Sequence, residues 1–476
     1  MTTAEKGSRR ERDLLGELDV PADALWGIHT ARARQSFATA GRPAHPALVH
    51  AFGEIKLAAA VVNRRLGAFA DDEPASQALE RACDEMARGL LDEHVVVDAL
   101  AGGAGTSTNM NVNEVLANRA LQHLGQPLGH YERISPLDDV NRHQSTNDTY
   151  PTALRIAALR LLVGLEAAVV ELQEAFQSKE RQFEGIVKVG RTQLQDAVLT
   201  TLGRSMGAYA DVLARDRWRL YKCGERLRVV NLGGTAIGTG LGAPRRFIFE
   251  VVEELRSVTG LSLSRAENLV EATQNQDALV ETSGMIKTYA ANLVRICSDL
   301  RLLSSGPEAG LGELRLPPRQ AGSSIMPGKI NPVIPEAAQQ AALLYLGYDQ
   351  AITAACAMGS LELCPFLPLV ADCLLGGMSA LTSATFSLAR LCVSGLEADE
   401  ARCQRTVSTS TAAVTALICA LGYEGASTVA ARAKERGETV REAAAALGLL
   451  SESEVDSLTS PQAVCRLGSP NKEDSP

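Results

Sequence analysis

Gly322-Ser323-Ser324-Ile325-Met326-Pro327-Gly328-Lys329-Ile330-Asn331-Pro332 places two hydroxyls, one cation and one amide in a short, glycine-hinged run. Lys329 and Asn331 can donate hydrogen bonds to a carboxylate. Ser323 or Ser324 can sit beside a C–H bond. Gly322 and Gly328 permit close backbone approach and loop motion. Taken a few residues at a time, the same letters describe an ordinary turn. The whole string is far more specific, and such a segment can close over a small anion.

Three further polar motifs lie upstream. Gly102-Gly103-Ala104-Gly105-Thr106-Ser107-Thr108-Asn109-Met110-Asn111 precedes a helical pattern over Asn113–Leu121. Small residues and hydroxyls at a helix start make an anion cradle, or simply a cap. His143-Gln144-Ser145-Thr146-Asn147-Asp148-Thr149-Tyr150-Pro151 stands before a long helical region. There Ser145, Thr146 and Asn147 can face a carboxylate, or cap the helix; His143 reads as packing rather than catalysis. Gly190-Arg191-Thr192-Gln193-Leu194-Gln195-Asp196-Ala197 reads as a polar kink between helices or as part of a site.

Between these motifs the chain is helical. From Pro151, a helix-start signal, the residues Leu154, Ala157, Ala158, Leu161, Leu162, Leu165, Ala168, Val169 and Leu172 recur at spacings of three and four. Similar stripes cover 203–230, 277–304, 334–358 and 373–396, with few strand signals. Five such helices imply an elongated bundle. Their wide Ala-rich stripes are most simply buried by self-association. Residues 1–13 and 468–476 read as disordered; 14–145 form a mixed, mainly helical domain, 146–399 the long-helix bundle, and 400–467 a small helical domain.

Composition narrows the function classes. Of the 476 residues 46% are hydrophobic and only 4% aromatic, which favours helix packing over a β-sandwich. A net charge of −9 argues against general nucleic-acid binding. No segment reads as membrane-spanning, and the polar start has no apolar signal-peptide region. The ten cysteines form no C-x-x-C pair and sit in apolar helical contexts, so free thiols and a cytoplasmic location are expected. The histidines stop at His143, which excludes a His-ligated metal site built wholly beyond it.

In order and approximate spacing the four motifs resemble those of the aspartase/fumarase superfamily, whose signature loop reads G-S-S-x-M-P-x-K-x-N-P. The likeness continues through Pro21-Ala22-Asp23-Ala24-Leu25-Trp26-Gly27, Val230-Asn231-Leu232-Gly233, Ala236-Ile237-Gly238-Thr239-Gly240 and Ser304-Ser305-Gly306-Pro307, over about residues 12–465. It is nearest to the aspartate ammonia-lyase branch; fumarases usually carry His where Gln193 stands. The resemblance implies a mainly α, three-domain lyase architecture whose central bundle associates into the multi-helix core of a homotetramer, with active sites shared between three subunits. It implies reversible anti elimination of ammonia from L-aspartate to fumarate. It further implies that no cofactor is required, with divalent-cation activation an option, as in some aspartases, and that no nucleic acid or membrane takes part.

The resemblance also assigns roles. Thr106, Ser145, Thr146 and Ser324 would hold the β-carboxylate. Thr192, Lys329 and Asn331 would hold the α-carboxylate, and Asn147 and Gln193 would face the amino group. Ser323 would take the Cβ proton. That proton is weakly acidic, because its loss leaves a doubly charged aci-carboxylate. Donors concentrated on the β-carboxylate answer this, each supplying roughly 3–4 kcal/mol in the transition state. Serine is a poor base unless its alkoxide is stabilised. The chain departs from the pattern with Glu308 for a usual Arg, Cys364-Pro365 for a usual Asn-Val, and no Asn-Pro near Leu417–Gly422. The alternatives are a fumarate hydratase, a lyase of an N-substituted aspartate, and a non-catalytic scaffold like the superfamily's lens crystallins. The scaffold's mark would be loss of the serine, lysine or asparagine, all of which are present.

Overall fold

The computed structural model describes residues 7–466 and 468. Helices dominate: α1 (Ile28–Ser36), α2 (Pro46–Arg65), α3 (Glu73–Ala87), α4 (Thr106–His123), α5 (Thr146–Gln182), α6 (Leu202–Leu227), α7 (Arg245–Thr259), α8 (Leu269–Gln274), α9 (Asp277–Leu303), α10 (Val333–Ala357), α11 (Leu367–Leu388), α12 (Glu400–Thr409), α13 (Ile418–Arg436), α14 (Val440–Ala446), α15 (Glu452–Leu458) and α16 (Pro461–Cys465). The mainly α class is as expected. Contacts group the chain into two compact units of alternating segments. Residues 7–166, Trp218–Ala290 and Leu343–Thr382 form the first; Ala167–Arg217, Ala291–Ala342 and 383–466 form the second.

In the first unit, β1 (Ser8–Asp13) pairs antiparallel with β2 (Gly16–Pro21). Residues 8–13 are thus ordered, against the expectation of disorder through residue 13. The cause is Glu11, the inward residue of a charged run. Its buried carboxylate accepts from the Ile28 N–H (2.8 Å), the Tyr131 hydroxyl (3.1 Å) and Arg9 Nε (2.8 Å). A partnered carboxylate occupies the face where an apolar residue usually marks a strand. Residues 1–6 and, Gly468 aside, the tail 468–476 lie outside the described residues. Helix α2 packs against α3, α4 and α7. Its residues Leu48, Phe52, Ile55, Ala59 and Val62, three and four apart, are all buried.

The stripes expected over 203–230, 277–304, 334–358 and 373–396 appear as α6, α9, α10 and α11, the last closing in a π-helical turn, Ala389–Val393. Helix α5 starts earlier than expected, at Thr146, which leaves Pro151 inside the helix. Proline has no N–H to give the carbonyl four residues back. Asn231 Nδ2 supplies the missing donor, reaching the Asn147 carbonyl at 3.0 Å.

In the second unit the run 190–197 is a β-hairpin rather than a kink between helices. Strand β3 (Val187–Thr192) pairs with β4 (Gln195–Thr201), with Val189 opposite Leu199. Both are buried and share a core with Leu417, Val429, Ala443 and Ala444. The expected short C-terminal helices near 438–447 and 451–458 appear as α14 and α15, each begun by a capping box, on Thr439 and on Ser451. Among the described residues two helical stretches are long and apolar enough to cross a membrane, Leu367–Val393 and Thr411–Arg436, where the sequence reading picked out none. Over half of the first one's apolar window is buried within the chain, as in a core helix. The second is interrupted at Gly422, whose backbone is non-helical (φ 69°, ψ 174°).

Candidate active site

The candidate residues fall into two groups. Thr106, Ser145, Thr146 and Asn147 belong to the first unit; Thr192, Gln193, Ser323, Ser324, Lys329 and Asn331 belong to the second.

In the first unit, Thr106 opens α4. The residue before it, Gly105, has φ +90°, and a Cβ there would stand 2.3 Å from the Tyr150 ring, so only glycine fits. Gly105 carries no side chain to cap α4, so its first-turn N–H groups gain no side-chain acceptor from that position. Ser145 caps α5 reciprocally. Its hydroxyl oxygen accepts the Asn147 N–H at 3.2 Å, and its own N–H donates to Asp148 Oδ1 at 2.9 Å. Asp148 Oδ2 accepts the Gly233 and Thr235 N–H groups at 3.1 and 2.9 Å. The carboxylate thereby ties the start of α5 to the 231–240 loop. Asn147 Nδ2 donates to the Ala236 carbonyl at 2.8 Å, which leaves Oδ1 as the part of its amide suited to an ammonium group.

Behind these residues lies a buried polar chain that sequence reasoning missed. Asn109 Nδ2 donates to Thr146 Oγ1 and to Asn141 Oδ1, each at 3.1 Å. Lys56 Nζ also donates to Asn141 Oδ1, at 3.0 Å. Lys56 and Asp148 are both enclosed, and burial moves each toward its neutral form. It pulls the lysine down to about 7 and pushes the carboxyl up to about 6, the latter against its three backbone N–H bonds. The available signal was a lysine set into the apolar run Ile55-Lys56-Leu57-Ala58-Ala59-Ala60. His143 Nδ1 meets Asn63 Oδ1 at 2.7 Å and its ring packs on Phe247 at 5.3 Å, which is a packing role.

In the second unit, Thr192 ends β3 and Gln193 is the first turn residue. Gln193 and Leu194 both have positive φ, 52° and 63°. That is the geometry of a two-residue hairpin turn, in which Asn-Gly is the usual pair. Two non-glycine residues hold it here at a cost, and such strain clusters at functional sites. The β3 side of the hairpin is anchored by Glu313, fully buried, whose carboxylate meets Lys188 Nζ at 3.0 Å and Arg191 Nη1 at 2.7 Å.

The signature loop is tied at its neck. Gly322 N–H donates to the Lys329 carbonyl at 2.7 Å, and Asn331 Nδ2 donates to the Gly322 carbonyl at 2.8 Å. A Cβ on Gly322 would lie 2.6 Å from that Lys329 oxygen. Within the loop, Ser323 Oγ accepts the N–H groups of Ile325 and Met326 at 3.2 and 3.0 Å. Ser324 and Lys329 are exposed. Glu308 is exposed as well. Cys364 is buried and donates to the Ala355 carbonyl at 3.6 Å, in the turn before α11.

Known proteins match this chain along nearly all its length. A family model described as lyase matches residues 16–347, and one described as fumarase C C-terminus matches 414–466. The chain is similar to an aspartate ammonia-lyase from Pseudomonas aeruginosa, 46% identical over 458 residues and covering 96% of each protein. It is similar in structure to a fumarate lyase:delta crystallin from Brucella melitensis solved bound to cobalt, with TM-score 0.91, 46% identity, and coverage of 96% of this chain and 100% of that one. A class II fumarase from Schistosoma mansoni follows at TM-score 0.88 and 32% identity, with coverage of 96% and 98%. With the lyase model spanning most of the chain, and the signature loop, the helix-start hydroxyls and the mainly α architecture in place, the chain belongs to the aspartase/fumarase superfamily of lyases.

Proposed function

We propose that this protein is an aspartate ammonia-lyase, a carbon–nitrogen lyase that eliminates ammonia from L-aspartate to give fumarate. The observation that carries the reading is the pair of backbone N–H groups held by Ser323 Oγ. A serine hydroxyl is too weak a base for a Cβ proton unless its alkoxide is stabilised. Two N–H donors aimed at the oxygen provide that stabilisation without side-chain rearrangement. The alkoxide takes the Cβ proton, and the electron pair moves into the β-carboxylate. Thr106, Ser145, Thr146 and Ser324 donate to the growing charge there. Collapse of the aci-carboxylate then expels ammonia from Cα on the opposite face. Thr192, Lys329 and the second Asn331 N–H hold the α-carboxylate, while Gln193 and Asn147 Oδ1 face the ammonium. The 46% identity to an aspartate ammonia-lyase supports the choice of amine over hydroxyl as leaving group.

The same proposal includes a homotetramer whose sites draw on three subunits, no required cofactor, and a cytoplasmic setting. Exposed apolar side chains on the long helices, Val163, Trp218, Tyr221, Leu343 and Leu344, support association. All ten cysteines are free, which suits a reducing compartment. The test offers purified protein L-aspartate, D-aspartate, malate, argininosuccinate and adenylosuccinate in turn, after EDTA and again with Mg2+, and follows fumarate by absorbance. Fumarate from L-aspartate alone is expected, with or without the metal. Faster release from malate would replace the reading with a fumarate hydratase.

A further inference from the structure

The buried chain behind Thr146 has a direction, and Lys56 sets it. Lys56 Nζ has protons to give in both its forms, and Asn141 Oδ1 accepts one at 3.0 Å. Asn141 agrees with this at its other end, where Nδ2 donates to the Gln144 carbonyl at 3.2 Å. Asn109 approaches the same Asn141 oxygen at 3.1 Å and must present its nitrogen. That nitrogen is also the atom 3.1 Å from Thr146 Oγ1. The Asn109 oxygen is left buried with no partner, so the amide stays in an orientation that wastes its acceptor. Thr146 Oγ1 therefore receives a hydrogen bond from behind, and its own proton is directed elsewhere. Turning Asn109 over would set two oxygens face to face at Asn141 and let Thr146 give its proton backward.

We propose that Lys56 is a positioning residue: through Asn141 and Asn109 it fixes the polarity of Thr146, so that the hydroxyl donates to the substrate β-carboxylate. This rests on the reading of Thr146 as a β-carboxylate donor. Lys56 itself touches no substrate. All four residues lie in the first unit, on α2, α4, the 141–145 turn and α5. Their separation in sequence is why none but Thr146 was legible as part of a site.

A double-mutant cycle on kcat for L-aspartate tests the proposal. Thr146→Val removes the hydroxyl and is expected to cost about 100-fold, as for one oxyanion donor. Lys56→Met keeps the length and removes the donor. It is expected to cost ~10-fold or more in the wild-type background and less than ~2-fold beside Thr146→Val, because polarity matters only while a hydroxyl is present. An equal cost of Lys56→Met in both backgrounds makes the lysine merely structural and overturns the relay, while the role of Thr146 stands. A silent Thr146→Val overturns both. Asn109→Asp keeps the test open should Lys56→Met fail to fold. A carboxylate there accepts the Thr146 proton and inverts the relay, so its cost also vanishes beside Thr146→Val. Persistence of that cost refutes the proposal.

Discussion

Ser323 and Lys329 sit six residues apart on one loop and separate cleanly in a kinetic experiment. On the proposed mechanism Ser323→Ala removes the base while leaving the carboxylate contacts, so kcat should fall by ~10²–10⁴ with little change in substrate affinity. Lys329→Ala removes a charge-assisted bond worth about 1.5–3 kcal/mol, so KM should rise as kcat falls. Near-normal kcat in Ser323→Ala would move the base elsewhere. Asp148 yields a pH prediction. Burial raises its folded-state pKa from 3.8 to about 6. Between those values the folded protein holds a proton that the unfolded chain has lost, so this contribution is present below pH 3.8 and disappears as pH rises through 6. Its span is about 3 kcal/mol. The difference in unfolding free energy between the wild type and Asp148→Asn, followed from pH 4 to 7, should show that slope. A flat difference would refute the shift. The residues assigned to the candidate site were legible because their types are chemically unusual together. Asn109, Asn141 and Lys56 were not, because their hydrogen bonds join residues far apart in sequence.

At the scale of elements, the long helices were read from spacing alone, because a stripe at three and four residues is a local property. The 187–201 hairpin was not. Its turn residues are Gln193-Leu194 instead of a glycine pair, and its Lys188, a charge that reads as solvent-facing, is buried against Glu313. The β1 strand hid for the same reason behind Glu11. The strained turn gives a third prediction. Leu194→Gly relieves a non-glycine positive φ and should raise stability by about 0.5–1 kcal/mol in urea unfolding. Aspartate turnover should drop, because the freed turn no longer holds Thr192 and Gln193 in one place. A stabilised variant with unchanged kcat and KM would show that the turn's rigidity plays no part in the site.

For the whole molecule, family membership was legible from four motifs, whereas the grouping of the chain into interleaved units was not. That grouping depends on which portions of five long helices find one another. The proposal of shared sites belongs at this scale. Mixing Ser323→Ala subunits with Thr192→Ala subunits under proven exchange should restore part of the activity, since some hybrid sites carry neither change. No recovery, or a monomer in sedimentation, would remove it.

Helix α5 completes its first turn with a side chain from Asn231, because Pro151 cannot serve the Asn147 carbonyl itself. The rest of α5 can form from local bonds as soon as it is made. One carbonyl of the turn that carries Ser145, Thr146 and Asn147 takes its donor from a segment some eighty residues further along the chain. This predicts that the turn is consolidated late, with long-range docking rather than with helix growth. Removing the donor with Asn231→Ala should therefore speed unfolding while leaving the refolding rate nearly unchanged, as for contacts made after the folding barrier is crossed. Slower refolding of that variant would instead place the turn within the folding nucleus.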